Sequence, residues 1–530
     1  MPKITIDDQE YEVPANAMLL PAALELGIHI PHYCWHAKLS VDGSCRMCQV
    51  EVEGAPKLVI ACNTPVRDGM VVRTKTPKVE NARRGVMELL LVNHPIDCPI
   101  CDKAGECLLQ DYSYAFGSRE TRTEEVRRKL QKRREIGPRM ILDQERCILC
   151  RRCVRFCREI TGTNELGVFN MGDRSVLDTM PDAPLANDYS INTADICPVG
   201  ALESKDFHHK LRVWFLKKTP SVCPSCSNGC NITIHHYREQ IWRMMPRRND
   251  AVNDTWMCDH GRLNYRFVND TERLRAPMKR RGASLEACTW DEAILAAAGL
   301  LRDAVQAHGP NAAGVIASPH FTNEESFRLA QLVRFLGIPN VDIALEIGQS
   351  DQLLIKAEKA ANSTGARDMG LQPAAGGLDL PGMLAAAAEG KLRLLYVCGS
   401  DLAKVADPAL LERALAKVDL IVHDLFRSPL AERARVVLPS LSWAEKTGTF
   451  TNIKRRVQQI HRAVTPPNEQ PSDGQLLSQL LGALREGPLG FEPTAVLEEI
   501  AATVPAYAGI SFARVGAQGY ALAPAAGATA

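Results

Sequence analysis

Several features that would each open a function class are missing from this chain. It has no charged start followed by an apolar core, so nothing reads as a secretory leader. No run of about eighteen uncharged apolar residues occurs, so no segment is expected to span a bilayer. Neither sign of charge is in excess: 63 Lys and Arg stand against 62 Asp and Glu. A balanced charge leaves no strong field for nucleic acid or an anionic membrane. The dinucleotide fingerprint G-x-G-x-x-G is absent, and no nucleophile with a matching base is evident. Cysteine itself runs out after residue 260, where only Cys288 and Cys398 remain, and both read as core residues.

What is present lies almost entirely before that point. Sixteen of the 18 cysteines fall into four groups. In an unexported protein, clustered cysteines point to metal or redox chemistry rather than to disulfides. Thiolate is the soft ligand of iron–sulfur clusters, and each cluster takes four ligands.

The first group is Cys34, Cys45, Cys48 and Cys62, spaced C-x10-C-x2-C-x13-C. It shares the close pair and distant fourth ligand of a plant-type two-iron ferredoxin, although its first interval is longer. Gly43, Ser44 and Arg46 surround the close pair, which suits a loop whose backbone must approach a cluster. A zinc site of four thiolates is the alternative. The second group, Cys98, Cys101 and Cys107, is one ligand short, and His94 is the nearest residue able to complete it. The third group is Cys147, Cys150, Cys153, Cys157 and Cys197. A bacterial ferredoxin run ends in Cys-Pro, but here Arg158 follows Cys157 and the Cys-Pro pair lies at Cys197-Pro198. Cys147, Cys150, Cys153 and Cys197 are therefore assigned to one four-iron cluster, and Cys157 to packing. The fourth group is Cys223, Cys226, Cys230 and Cys258, a four-iron site with zinc again as the alternative.

Short β-prone runs at 4–6, 11–13, 48–52 and 71–74 predict a small β-rich module with one helix near Pro21–Leu26. Residues 81–93 predict a helix whose apolar face is Val86, Leu89, Leu90 and Val92. The basic run Arg127–Arg134 reads as a solvated helix face or a subunit contact. Beyond about residue 270, strands at 313–317, 394–397, 418–422 and 436–438 alternate with helices at 324–336 and 408–416. That alternation predicts an α/β layer with a largely parallel sheet. The alanine-rich stretch Ala521–Ala530 is expected to fray.

Taken together, these residues resemble the large iron–sulfur subunit (the G subunit, or 75 kDa subunit, family) of respiratory complex I, the NADH:quinone oxidoreductase. The stretch from Asn93 and His94 through Cys98-Pro99-Ile100-Cys101-Asp102-Lys103-Ala104-Gly105-Glu106-Cys107 carries the resemblance most specifically, together with the order of the four groups. In the C-terminal half it rests on Asn323-Glu324-Glu325, Leu438-Pro439, Ala444 to Asn452 and Arg456-Val457-Gln458, which are similar to molybdopterin oxidoreductases.

The resemblance implies an α+β and α/β multidomain chain. Its parts are a β-grasp [2Fe-2S] ferredoxin domain at 1–78, a His(Cys)3-ligated [4Fe-4S] domain at 79–120 and a ferredoxin-like [4Fe-4S] domain at 138–210. A [4Fe-4S] domain of the molybdenum-enzyme type follows at 216–272, then a molybdopterin-oxidoreductase-like domain at 273–480 and an extension at 481–530. It implies one [2Fe-2S] and three [4Fe-4S] clusters, the fourth lying off the main electron route. No molybdopterin is expected, because Ile453-Lys454-Arg455 replaces the usual Thr-Glu-Gly and no metal-binding cysteine stands in 270–400. The implied role is one-electron transfer in a proton-translocating NADH dehydrogenase, from a flavin- and NADH-binding partner towards quinone-side iron–sulfur subunits. The implied location is peripheral, on the cytoplasmic face of the inner membrane, held there by partners. The rival readings are the catalytic subunit of an NAD-linked formate dehydrogenase, the iron–sulfur subunit of an NAD-reducing hydrogenase, and a zinc-stapled scaffold without redox work.

Overall fold

The computed structural model describes residues 1–118, 120–399 and 402–523. The chain divides into two compact units, one ending at Leu216 and the other starting at Lys217.

The first unit begins with a five-stranded sheet in the order Gln9–Glu12, Lys3–Ile6, Met70–Arg73, Gln49–Val52, Val59–Ile60. Lys3–Ile6 pairs antiparallel with Gln9–Glu12 and parallel with Met70–Arg73. Alternation along the first strand turns Ile4 and Ile6 inward, onto Leu19, Leu20 and Ala23 of the helix Leu19–Glu25. Cys48 and Cys62, two of the candidate ligands of the first group, belong to this same core.

The helix expected at 81–93 runs instead over Pro77–Leu91, with Thr76 accepting from the Val79 N–H and Pro77 at its first turn. Its buried stripe is Val79, Arg83 and Met87, not the aliphatic face expected, and Leu89 is 77% exposed. A guanidinium wins that place because Arg83 Nη2 donates to the Gln49 carbonyl at 3.1 Å while its plane lies over Phe116. The basic run 127–134 is likewise not a helix. Its Lys132 bridges Asp97, Asp143 and Glu145, and Arg134 enters a short strand and pairs with Asp178.

The second unit opens with an antiparallel sheet of Lys217–Val222, Asn231–Tyr237 and Gln240–Pro246, which the sequence reading did not anticipate. Its largest layer is a seven-stranded sheet in the order Ser284–Ala287, Met278–Arg281, Val436–Pro439, Asp419–Asp424, Leu394–Cys398, Ala313–Ala317, Asn340–Ile343. The last five are parallel, as expected from the alternation of strands and helices. Both faces are covered. Val315, Ala317, Tyr396 and Cys398 pack under the helices Trp290–His308, Asn323–Leu336 and Asp473–Arg485. Ile316, Leu395, Val397 and Leu420 face Leu380–Ala388 and Pro408–Leu415. Burial on both faces explains the continuous apolar runs of these strands. Cys398 is core, as expected, and Cys288 is half-buried against the same core. The alanine-rich tail begins in order, since Ala521 pairs with Arg456; residues 524–530 lie outside the described range.

One buried carboxyl gives this unit a pH dependence. Glu324 is fully enclosed and accepts from the Thr449 N–H at 2.9 Å and from Thr449 Oγ1 at 2.7 Å. Burial pushes its pKa from 4.5 up to about 7. A carboxyl raised in the folded state contributes stability below its unfolded pKa and loses it as pH rises through the folded one. Moving from pH 5 to pH 8 is expected to cost about 2–3 kcal/mol at this residue. Glu324→Gln, which preserves both contacts once the Thr449 hydroxyl turns, should remove that slope in denaturant titrations.

Candidate iron–sulfur centres

Cys34 and Cys45 meet in the loop before Gln49–Val52, where the Cys34 N–H lies 3.4 Å from Cys45 Sγ. Their thiols hydrogen-bond to each other, as do those of Cys48 and Cys62, and these bonds hold Cys34 and Cys48 below the ordinary thiol range. Left-handed backbone at Gly43 (φ +70°) and Arg46 (φ +57°) folds the loop back on itself.

In the second set Cys101 and Cys107 are buried and Cys98 is exposed. Burial raises both buried thiols, Cys101 to about 11. Arg212 ties the loop down by donating to the Cys101 carbonyl at 2.6 Å and to that of Pro99. His94 is largely enclosed. Burial, then the nearby Arg146, lowers its pKa to about 4, so the imidazole is neutral at ordinary pH. Its Nδ1 is buried with no hydrogen-bond partner among the described residues. A neutral, orphaned imidazole nitrogen beside an incomplete thiol set fits the ligand role expected of it. His94→Cys is expected to keep a four-iron cluster and lower its midpoint potential, since an anionic thiolate replaces a neutral ligand. An unchanged midpoint in a redox titration removes His94 from the set.

Cys147, Cys150, Cys153 and Cys197 line one small cavity, closed by Leu177 and Val199. Leu149 and Arg151 both adopt left-handed backbone (φ +52° and +57°), which wraps this loop ahead of the helix Arg152–Glu159. Cys157 is on that helix but does not line the cavity. It is fully buried beside Glu165 and Leu166, in keeping with a packing role.

These three sets are neighbours within the first unit. The turn after Cys197 reaches the second set: the Leu108 N–H donates to the Pro198 carbonyl at 3.0 Å, and Gly200 lies against Cys101 Sγ so closely that a Cβ there would overlap the sulfur. Arg146 spans the same junction, bonding Asp97, the Gly200 carbonyl and Glu203 Oε1 (2.8 Å). On the other side, Arg155 donates to the carbonyls of both Cys34 and Cys150.

The sequence reading missed this arginine framework, and it missed a cluster of Asp102, Glu203, His208 and His209 beside the second set. In that cluster His208 Nδ1 lies 2.8 Å from Glu203 Oε2, and the His209 N–H donates to Asp102 at 2.6 Å. Asp102, Glu203 and His208 engage one another, Glu203 also pairs with Arg146, and the His209 ring stacks on His208 at the surface. Only the adjacent histidines could have hinted at it.

In the second unit Cys223, Cys226, Cys230 and Cys258 are all buried. The Cys223 N–H bonds the Cys230 carbonyl at 2.8 Å, and Asn228 Nδ2 and the Gly261 N–H donate to Cys230 Sγ (3.1 Å) and Cys258 Sγ (3.3 Å). A Cβ on Gly261 would come within 2.9 Å of Cys223 Sγ and 3.2 Å of Cys258 Sγ, so glycine is what leaves room for the set. Amide donors aimed at sulfur suit a cluster at least as well as zinc. The loop is held by the molybdopterin-like stretch, through Asn452 Nδ2 on the Asn228 carbonyl (3.1 Å) and Gln458 Nε2 on that of Gly229 (2.9 Å).

Comparison with known proteins follows the same divisions. A 2Fe-2S iron-sulfur cluster binding domain is matched over 2–77, and the NADH-ubiquinone oxidoreductase-G iron-sulfur binding region over 83–122. The ferredoxin-like domain of NADH-quinone oxidoreductase subunit 3 is matched over 137–203. A molybdopterin oxidoreductase Fe4S4 domain is matched over 216–270 and the molybdopterin oxidoreductase family over 273–354 and 353–483. The NADH-quinone oxidoreductase G subunit of Rickettsia bellii (strain RML369-C) is 39% identical over 343 residues, 65% of this chain and 50% of that one. The second such G subunit of Rhizobium meliloti (strain 1021) is 28% identical across 98% of this chain and 84% of its own. This chain belongs to the family of NADH-quinone oxidoreductase G subunits.

It therefore spans about half the length of the Rickettsia relative. The NADPH-Fe(3+) oxidoreductase subunit alpha of Geobacter sulfurreducens (strain DL-1 / KN400) is also similar, 28% identical over 96% of this chain and 84% of that one. Among solved structures, a chain of an NAD+-reducing [NiFe]-hydrogenase is 32% identical over 40% of this chain and 91% of its own, with a TM-score of 0.37. Membership of the G-subunit family accounts for the iron–sulfur domains and for the molybdopterin-type fold behind them. That fold does not by itself bring a molybdopterin. Among the described residues, no helix is long and apolar enough to cross a membrane.

Proposed function

We propose that the chain is the iron–sulfur electron-transfer subunit of a proton-translocating NADH:quinone oxidoreductase, with its first unit as the conducting part. The observation that carries this reading is the chain of contacts joining three donor sets: Arg155 from Cys34 to Cys150, and the Pro198–Gly200 turn from Cys197 to Cys101. Cys34, Cys45, Cys48 and Cys62 hold a [2Fe-2S] cluster. His94, Cys98, Cys101 and Cys107 hold a [4Fe-4S] cluster, as do Cys147, Cys150, Cys153 and Cys197, and also Cys223, Cys226, Cys230 and Cys258. When bound, the clusters supply one-electron carriers, and hydride chemistry stays with a flavin on a partner chain. The residues of this chain fix the spacing of the sets, exclude water from them and set the local charge.

The second unit is a scaffold around a side site, without molybdopterin. Lys454 and Arg455, standing where Glu and Gly are usual, are committed to the Ala251 carbonyl and to Asp368 (3.1 Å). The chain attaches to the cytoplasmic face of the inner membrane through its partners, a flavin- and NADH-binding subunit and quinone-side iron–sulfur subunits. Deleting the chain should abolish NADH-dependent quinone reduction by membranes, and restoring it should recover the activity. A tagged chain should sediment with the membrane fraction and bring flavin with it. Unchanged quinone reduction on deletion, or a tagged chain found free of membranes and flavin, contradicts the reading.

A further inference from the structure

Two arginines one turn apart on the helix Arg152–Glu159 are almost fully enclosed, with 6% of Arg152 and 3% of Arg155 exposed. Neither has a carboxylate within ion-pair distance among the described residues; the salt bridges of this segment belong to Arg151 and Arg158, which face solvent. Their partners are carbonyls. Arg155 bonds those of Cys34, Cys150 and Ser40, and Arg152 those of Ile196 (3.1 Å) and Trp35. The Nε atoms of both are buried without a partner.

A buried guanidinium without a counter-ion costs several kcal/mol, and carbonyl dipoles cancel only part of that. The surroundings therefore have to supply negative charge, and nearby carboxylates do not. What lies there are two donor sets. Trp35 follows Cys34, Ile196 precedes Cys197, and Arg152 itself lines the cavity of the Cys147 set.

We propose that Arg152 and Arg155 are the shared counter-charge of the Cys34 and Cys147 sets, positioning residues that raise the midpoint potential of both clusters together. The inference rests on the ligand sets assigned above. Adding an electron to either cluster adds negative charge, and a fixed cation close to both, in a medium of low polarity, stabilises that added charge. Guanidinium suits the task because it stays charged and its fork spans two carbonyl groups at once.

The test is an EPR-monitored redox titration of the cluster-loaded full chain, with iron counted in every sample. Absence of the two wild-type signals would refute the ligand assignment itself, a failure separate from that of the arginine proposal. With both signals present, Arg152→Gln and Arg155→Gln should each lower both midpoints by at least a tenfold change in reduction equilibrium, about 59 mV for one electron. Arg152→Lys and Arg155→Lys should stay near wild type. Arg158→Gln, which removes an exposed charge from the same helix, should shift neither. Midpoints that hold still in the Gln variants, or that move at one site only, overturn the proposal. Should a Gln variant lose iron, the matching Lys variant decides: retention of both clusters at wild-type midpoints supports the charge role, and equal iron loss refutes it.

Discussion

Replacing Gly200 with alanine is expected to strip about four irons from the cluster-loaded chain and to leave the others bound. A Cβ at that position would overlap Cys101 Sγ. The glycine cannot retreat, because its carbonyl is bonded by Arg146 and Pro198, two residues earlier, is bonded by Leu108. The Cys101 backbone cannot retreat either, since Arg212 holds its carbonyl. The thiol must therefore rotate out of its set. The signal of the His94 cluster should vanish from the EPR spectrum while that of the two-iron cluster persists. Gly85→Ala, on a helix where a Cβ meets nothing, is the control and should lose no iron. Full iron content in Gly200→Ala would show that Cys101 is not a ligand.

Lys446→Met is expected to produce the largest loss of stability, about 3–5 kcal/mol. Lys446 is enclosed, with Nζ 2.7 Å from Glu325 Oε2 and 2.9 Å from Asp473 Oδ2. Both carboxylates are themselves buried, so removing the ammonium leaves two acids facing each other without a cation. The attraction of Lys446 holds the Asp473 carboxyl far below the usual carboxylate range despite burial. Because a two-unit chain need not unfold in one step, the opening energy is best read locally, from hydrogen exchange at Thr449 and Thr451. Exchange there should accelerate by two orders of magnitude or more. Adding Asp473→Asn and Glu325→Gln to the same chain should recover part of the loss, because the uncompensated charge is then gone.

The proposed ligand sets can be drawn from the sequence for a simple reason. Cluster ligation is local in the chain, so spacing alone proposes Cys45 with Cys48, or Cys223 with Cys226. The Cys-Pro pair at 197 also proposes Cys197 as the partner of the Cys147 loop, and Cys147, Cys150, Cys153 and Cys197 line one cavity. The parallel strands were legible because burial on both faces writes them as unbroken apolar runs. What sequence periodicity could not show is long-range. The buried stripe of Pro77–Leu91 contains Arg83 because the Gln49 carbonyl and Phe116 wait for it, and neither is near in sequence. Nothing near Gly200 in the sequence shows that Cys101 Sγ lies against it. Arg146, Arg152 and Arg155 carry no periodicity or spacing signal that marks them in the sequence. Only the fold shows that they sit between donor sets.

The central claim, four cluster sites and no molybdenum centre, is tested most directly by metal analysis of the anaerobically purified chain combined with EPR of the dithionite-reduced protein. The account predicts about 14 irons, no stoichiometric zinc or molybdenum, and signals from one two-iron centre together with four-iron centres. Stoichiometric molybdenum, zinc in place of four of the irons, or the absence of a two-iron signal would contradict it.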